Sequence, residues 1–88
     1  MWIVVGAAWC EKCQHTKELL FEKGLWQMVR YIDFETAEGK EMAVAYGAEQ
    51  VPFFVADGAR VEYVGQFLHI LTERKLKEEL AKGAEAQQ

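Results

Sequence analysis

The chain has 88 residues, enough for one hydrophobic core but not for two domains that each bury their own. Hydrophobic residues make up 51% and charged residues 27%, a globular composition that argues against a disordered tail or a fibrous repeat. The net charge of −4, with Lys and Arg interleaved by Glu, argues against a phosphate-binding surface, so nucleic acid is not expected as a partner.

In chain order, residues 2–5, Trp2-Ile3-Val4-Val5, read as a short buried strand. The opening run carries no basic segment and is too short to span a bilayer, so neither a targeting leader nor a membrane partner is expected. The only two cysteines, Cys10 and Cys13, form a C-x-x-C pair. In a chain without a leader that spacing points to redox or metal chemistry, with the cytoplasm as the expected compartment. Residues 11–23 predict a helix with Cys13, Thr16 and Leu20 on one face and Gly24 as its stop. Residues 28–34, rich in β-branched and aromatic side chains, predict a second strand. Thr36 then caps a helix that runs through Tyr46 and ends at Gly47. A strand–helix–strand connection of this kind favours a parallel pair.

Farther on, residues 53–56 and 59–64 predict two strands joined at Asp57-Gly58, a strong hairpin signal. After Gly65, residues 67–82 predict a helix with Leu68, Thr72, Leu76 and Leu80 at i+4 spacing and Arg74, Lys75, Glu78 and Glu79 on another face. Residues 1–82 therefore form the domain and 83–88 a flexible tail. The predicted fold is α/β, in the order β-α-β-α-β-β-α, with a mixed four-stranded sheet flanked by three helices. Its C-x-x-C falls where the first strand meets its helix, the end at which open α/β sheets commonly hold their sites.

The chemistry of that position follows from the thiolate, which is the nucleophilic form of cysteine. Unpaired N–H groups and the macrodipole at a helix N-terminus favour an anion there, with Lys12 supporting it and Glu11 opposing it through screened solvent. Cys10, ahead of the helix, is the expected exposed nucleophile. Cys13, one turn inside, is the shielded sulfur that resolves a mixed disulfide. Phe53, Phe54, Tyr63 and Phe67 read as core, and His15 and His69 as surface or satisfied core without a chemical role. Trp9 serves either as an apolar cover for the site or as packing beneath its loop.

The ordered set Trp9-Cys10-Glu11-Lys12-Cys13, Val51-Pro52 and Gly65 resembles the thioredoxin-fold redoxins, and among them the glutaredoxin-sized members. With Thr16-Lys17 following the motif, it is most similar to the glutaredoxin-like hydrogen donors of ribonucleotide reductase. The resemblance implies a thioredoxin/glutaredoxin-like fold and a protein disulfide reductase with Cys10 and Cys13 as catalytic residues. It further implies Trp9, Lys12, Val51, Pro52 and Gly65 as substrate-binding residues, with a cis Val51-Pro52 bond that exposes the Val51 backbone to an extended substrate. The partners implied are protein disulfides and a reductase, the chain acting as a monomer without cofactor or metal. Ala7 in place of a basic residue, Gln50 before Val51-Pro52, and Gly65-Gln66-Phe67 depart from the glutathione-using pattern. Thioredoxin reductase is therefore the expected electron source, and a cluster shared through glutathione is disfavoured. Two other readings stand beside this one: a C-x-x-C module for copper(I) or zinc, and a redox-silent adaptor that only binds peptides.

Overall fold

A computed structural model describes residues 1–86. The elements are β1 (Trp2–Gly6), α1 (Glu11–Glu22), a 3-10 turn at Trp26–Met28, β2 (Val29–Asp33), α2 (Ala37–Ala45), β3 (Phe53–Ala56), β4 (Ala59–Val61) and α3 (Val64–Ala86). The expected order and the mixed four-stranded sheet are both present, with strands arranged β2-β1-β3-β4. β1 pairs in parallel with β2 and antiparallel with β3, and β3 pairs antiparallel with β4.

Local chemistry explains most boundaries. Gly24 takes φ +67 at the end of α1, where Leu25 N–H reaches Leu20 O at 2.8 Å and Gly24 N–H reaches Phe21 O at 3.1 Å. This pair of bonds satisfies the last carbonyls of the helix and needs a left-handed residue between them. Gly47, at φ +64, repeats the arrangement after α2 through Ala48 N–H to Ala43 O and Gly47 N–H to Val44 O. Thr36 caps α2 as expected, its hydroxyl accepting from Gly39 N–H at 3.1 Å. Asp57 and Gly58 both have positive φ, which matches the twist a two-residue hairpin requires.

Alternation along β1 divides the core into two layers. Val4 faces α1 and α3 and packs with Leu20, Leu25, Phe54, Phe67 and Leu71. Ile3 and Val5 face the other way, with Ile32, Ala43, Phe53 and Val55 beneath α2. β1 and β3 are buried on both faces, which is why they read as continuous apolar runs rather than alternating ones.

The second half departs from expectation in several places. β4 stops at Val61, because its ladder with β3 ends at the Phe54–Val61 pair. α3 begins at Val64, with Phe67 N–H bonded to Tyr63 O at 3.1 Å. The i+4 stripe enters the core only at Leu68, beside Phe67 and Leu71; Thr72 is exposed and Leu76 and Leu80 are 54% and 65% exposed. Twenty-three residues of helix extend for about 35 Å, far beyond the four-residue β3 they cross, so the second half of α3 has no sheet beneath it. That projection also sets the long axis of the molecule at 48 Å against 24 and 20 Å.

Residues 83–86, expected as part of a flexible tail, continue the helix, since Ala and Glu on either side tolerate one glycine. Gln87 and Gln88, the rest of that tail, lie outside the described residues. Among the described residues, no helix is long and apolar enough to cross a membrane.

Candidate active site

The loop between β1 and α1 turns tightly, with Cys10 N–H bonded to Ala7 O at 3.2 Å, and delivers Cys10 to the N-cap of α1. Its backbone is extended (φ −100, ψ 114), and its sulfur accepts the Cys13 N–H at 3.2 Å, as a capping side chain does. Gln14 Nε2 donates to Ala7 O at 3.3 Å and ties the loop to the first turn. Thr16 is buried, and its hydroxyl donates to Lys12 O at 2.8 Å, so its polar atom is satisfied within the helix.

The two sulfurs have different environments. Cys10 is partly exposed and Cys13 is fully buried. Burial first, and then its hydrogen bond to the Cys10 side chain, push the Cys13 thiol up to about 11, against a smaller opposing effect from the Ala7 backbone. The residue with the accessible sulfur is the one at the helix N-terminus.

Across the site the Val51–Pro52 peptide bond is cis, as expected. The Cys10 thiol donates to Val51 O at 3.7 Å, a weak sulfur contact that joins residues 41 positions apart in the chain. Val51 also separates two grooves. One, of about 530 Å³, runs between Trp9, Phe34, Ala43, Val44 and Phe53. The other, of about 470 Å³, is lined by Lys12, His15, Thr16, Pro52 and Tyr63. Cys10 itself lines neither; it stands in a shallow depression with Trp9, Gln14 and His15. The larger groove therefore borders the cysteines through Trp9 and Val51 rather than enclosing them.

No protein-family model matches the chain, and no curated protein matches it. The functional reading consequently rests on this geometry.

Six of the seven expected site residues converge: Cys10, Cys13, Trp9, Lys12, Val51 and Pro52. Gly65 follows Tyr63 and Val64, which line the second groove. It occupies the first turn of α3, where an added Cβ would meet nothing within 4 Å, so space does not demand a glycine there. Trp9 is 67% exposed rather than packed under its loop, and its indole N–H donates to Glu35 Oε1 at 2.9 Å. His15 and His69 are exposed, opposite Glu18 and Glu73 respectively.

Sequence reasoning placed Tyr63 in the core, but it is 70% exposed and walls the second groove. The loop that takes the chain from β4 to α3 turns its ring outward. Glu35 and Tyr31 also escaped notice. Glu35 is one exposed acid among several, and nothing local marks it as the partner of Trp9. Tyr31 on β2 is half-buried, with its hydroxyl sealed from solvent. Among the described residues no group of three or more His, Cys, Asp or Glu is arranged to hold a metal ion.

Proposed function

We propose that this chain is a thioredoxin-fold thiol–disulfide oxidoreductase, which reduces protein disulfides in the cytoplasm and is itself re-reduced by thioredoxin reductase. The fold reading is supported by the sheet order β2-β1-β3-β4, with one parallel and two antiparallel pairings and α2 on the face opposite α1 and α3.

The observation that carries the chemistry is the Cys10 sulfur at the α1 N-cap, 3.2 Å from Cys13 N and facing Val51 O, with Cys13 buried behind it. In the first step the Cys10 thiolate attacks a substrate disulfide. A Cys10–substrate S–S bond forms, the substrate S–S bond breaks, and the departing thiolate takes up a proton. In the second step Cys13 attacks Cys10 Sγ, the Cys10–Cys13 bond forms, and the other substrate sulfur leaves as a thiol. The substrate gains two electrons and two protons, and the enzyme dithiol becomes a disulfide. An extended substrate segment lies against the Val51 backbone, with Trp9 and Lys12 on opposite sides to meet its side chains.

Two measurements test this reading. Mild oxidation should remove two hydrogens from each single chain, read by mass spectrometry of the intact protein. A coupled assay on a protein disulfide should consume NADPH with thioredoxin reductase and much less with glutathione and glutathione reductase. A chain that forms no internal bridge and instead binds copper(I) stoichiometrically would be a metal-binding module, not a reductase.

A further inference from the structure

Tyr31 presents a polar atom in an unfavourable place. Its hydroxyl is buried and has no hydrogen-bond partner; among the described residues only the Trp2 indole N–H shares that condition. A phenylalanine would fill the same space without leaving a polar group unsolvated, so the hydroxyl weakens the fold. Buried polar atoms kept without a partner call for another explanation, and a role in chemistry is one.

The hydroxyl's position supplies that explanation. Tyr31 pairs with Val4 across the β1–β2 ladder, and its ring reaches along β1 to Gly6. A Cβ on Gly6 would collide with the Tyr31 hydroxyl and stand 3.1 Å from Cys13 Cβ. The absent side chain at Gly6 thus lets the hydroxyl stand where a Cβ would be, beside Cys13. Lys17 Nζ stands 4.5 Å from the Tyr31 ring centroid, and Trp26 packs against the ring with centroids 5.7 Å apart.

We propose that the Tyr31 hydroxyl donates a hydrogen bond to the Cys13 sulfur as that sulfur attacks the mixed disulfide on Cys10. The proposal rests on the reductase reading above and concerns its second step alone. Cys13 is the sulfur that needs such help. Its burial holds the thiol near 11, so the attacking thiolate is scarce at neutral pH and has little solvent around it. A donor already inside the core stabilises that anion without water having to enter. Tyr31 keeps its own proton throughout, because burial pushes the phenol up to about 12. The Cys13 proton passes to the departing substrate sulfur, Cys13 and Cys10 are oxidised to their disulfide, and the substrate sulfur is reduced. The charged or titratable groups around the phenol are Cys13 and Lys17 from α1, Cys10 at its N-cap and Asp33 from β2.

The test compares wild-type protein with Tyr31→Phe, which keeps the ring, its Trp26 contact and its face toward Lys17. An aromatic disulfide that releases one coloured thiolate per step separates the two steps in stopped flow. The expected result is an unchanged first release and a second release slowed about tenfold or more, the worth of a hydrogen bond to a charged group. The rate profile of the second step should also move to higher pH, while the melting temperature stays the same or rises. Equal second-step rates in the two proteins would overturn the proposal. So would equal slowing of both steps with a lower melting temperature, which marks a merely structural tyrosine. If the variant fails to fold, wild-type protein alkylated at Cys10 decides: the Tyr31 Cζ resonance should shift with the Cys13 titration, and its failure to do so overturns the proposal. A wild-type protein that performs neither step removes the reductase reading and this inference together.

Discussion

Alkaline titration of the reduced protein isolates the energetic consequence of burying Cys13. The perturbation is a rise in pH in the presence of a phosphine reductant, with Cys13→Ala as the reference. A thiol held at about 11 in the folded chain and 9.0 in the ordinary state keeps its proton on the folded side while the unfolded chain loses it. Below pH 9 both states are protonated and the stability contribution is fully present; it is lost as pH rises toward 11. Linkage puts the loss at about 1 kcal/mol at pH 10 and about 2 kcal/mol at pH 11, a large part of the roughly 4–13 kcal/mol expected for a chain this long. Cys13 has no accessible surface but lies shallowly inside the protein, so nearby solvent screens it and these figures are upper values. Urea unfolding at fixed temperature reads the effect. With a slope of about 1–2 kcal/mol per molar, the wild-type midpoint should fall roughly 1–2 M further than that of Cys13→Ala between pH 8 and 11. Tyr31, also raised mainly by burial, titrates in both proteins and drops out of the difference to that extent. Parallel stability curves for the two proteins would refute the account of Cys13 as a desolvated thiol.

Three further outcomes are expected. Iodoacetamide should modify Cys10 well before Cys13 in the native reduced protein, because only Cys10 is accessible; peptide mass spectrometry showing equal rates would contradict the assigned exposures. Phe67→Ala should cost about 3–5 kcal/mol in urea unfolding, since the ring is fully buried and stacks on Phe54 at 5.0 Å between centroids. A loss below about 1 kcal/mol would mean that α3 does not dock through this face. Gly6→Ala should destabilise by about 1–3 kcal/mol, because its methyl meets the Tyr31 hydroxyl and the Cys13 side chain. Measured in the Tyr31→Phe background the cost should shrink, and an unchanged cost would place the conflict elsewhere.

What the sequence determined by itself was carried by signals that act over a few residues. Gly24 and Gly47 close their helices, Thr36 caps α2, Asp57-Gly58 turns the hairpin, and Cys10 caps α1 three residues before Cys13. Each depends on a bond or dihedral within about one helical turn, so the order of elements was legible without knowing how they pack. Tertiary structure alone decided the rest. Apolar spacing in α3 could not tell Leu71, over the sheet, from Leu76 and Leu80, beyond its edge, because periodicity records a face and not the extent of what lies opposite. Tyr63 faces solvent for a similar reason: the direction of a loop residue is set by the elements it joins. Trp9 with Glu35, and Tyr31 with Gly6 and Cys13, are brought together by the β2-β1-β3 arrangement and by strand register. Nothing in either partner's own neighbourhood encodes them, since a contact across a sheet exists only after the strands have chosen their pairing.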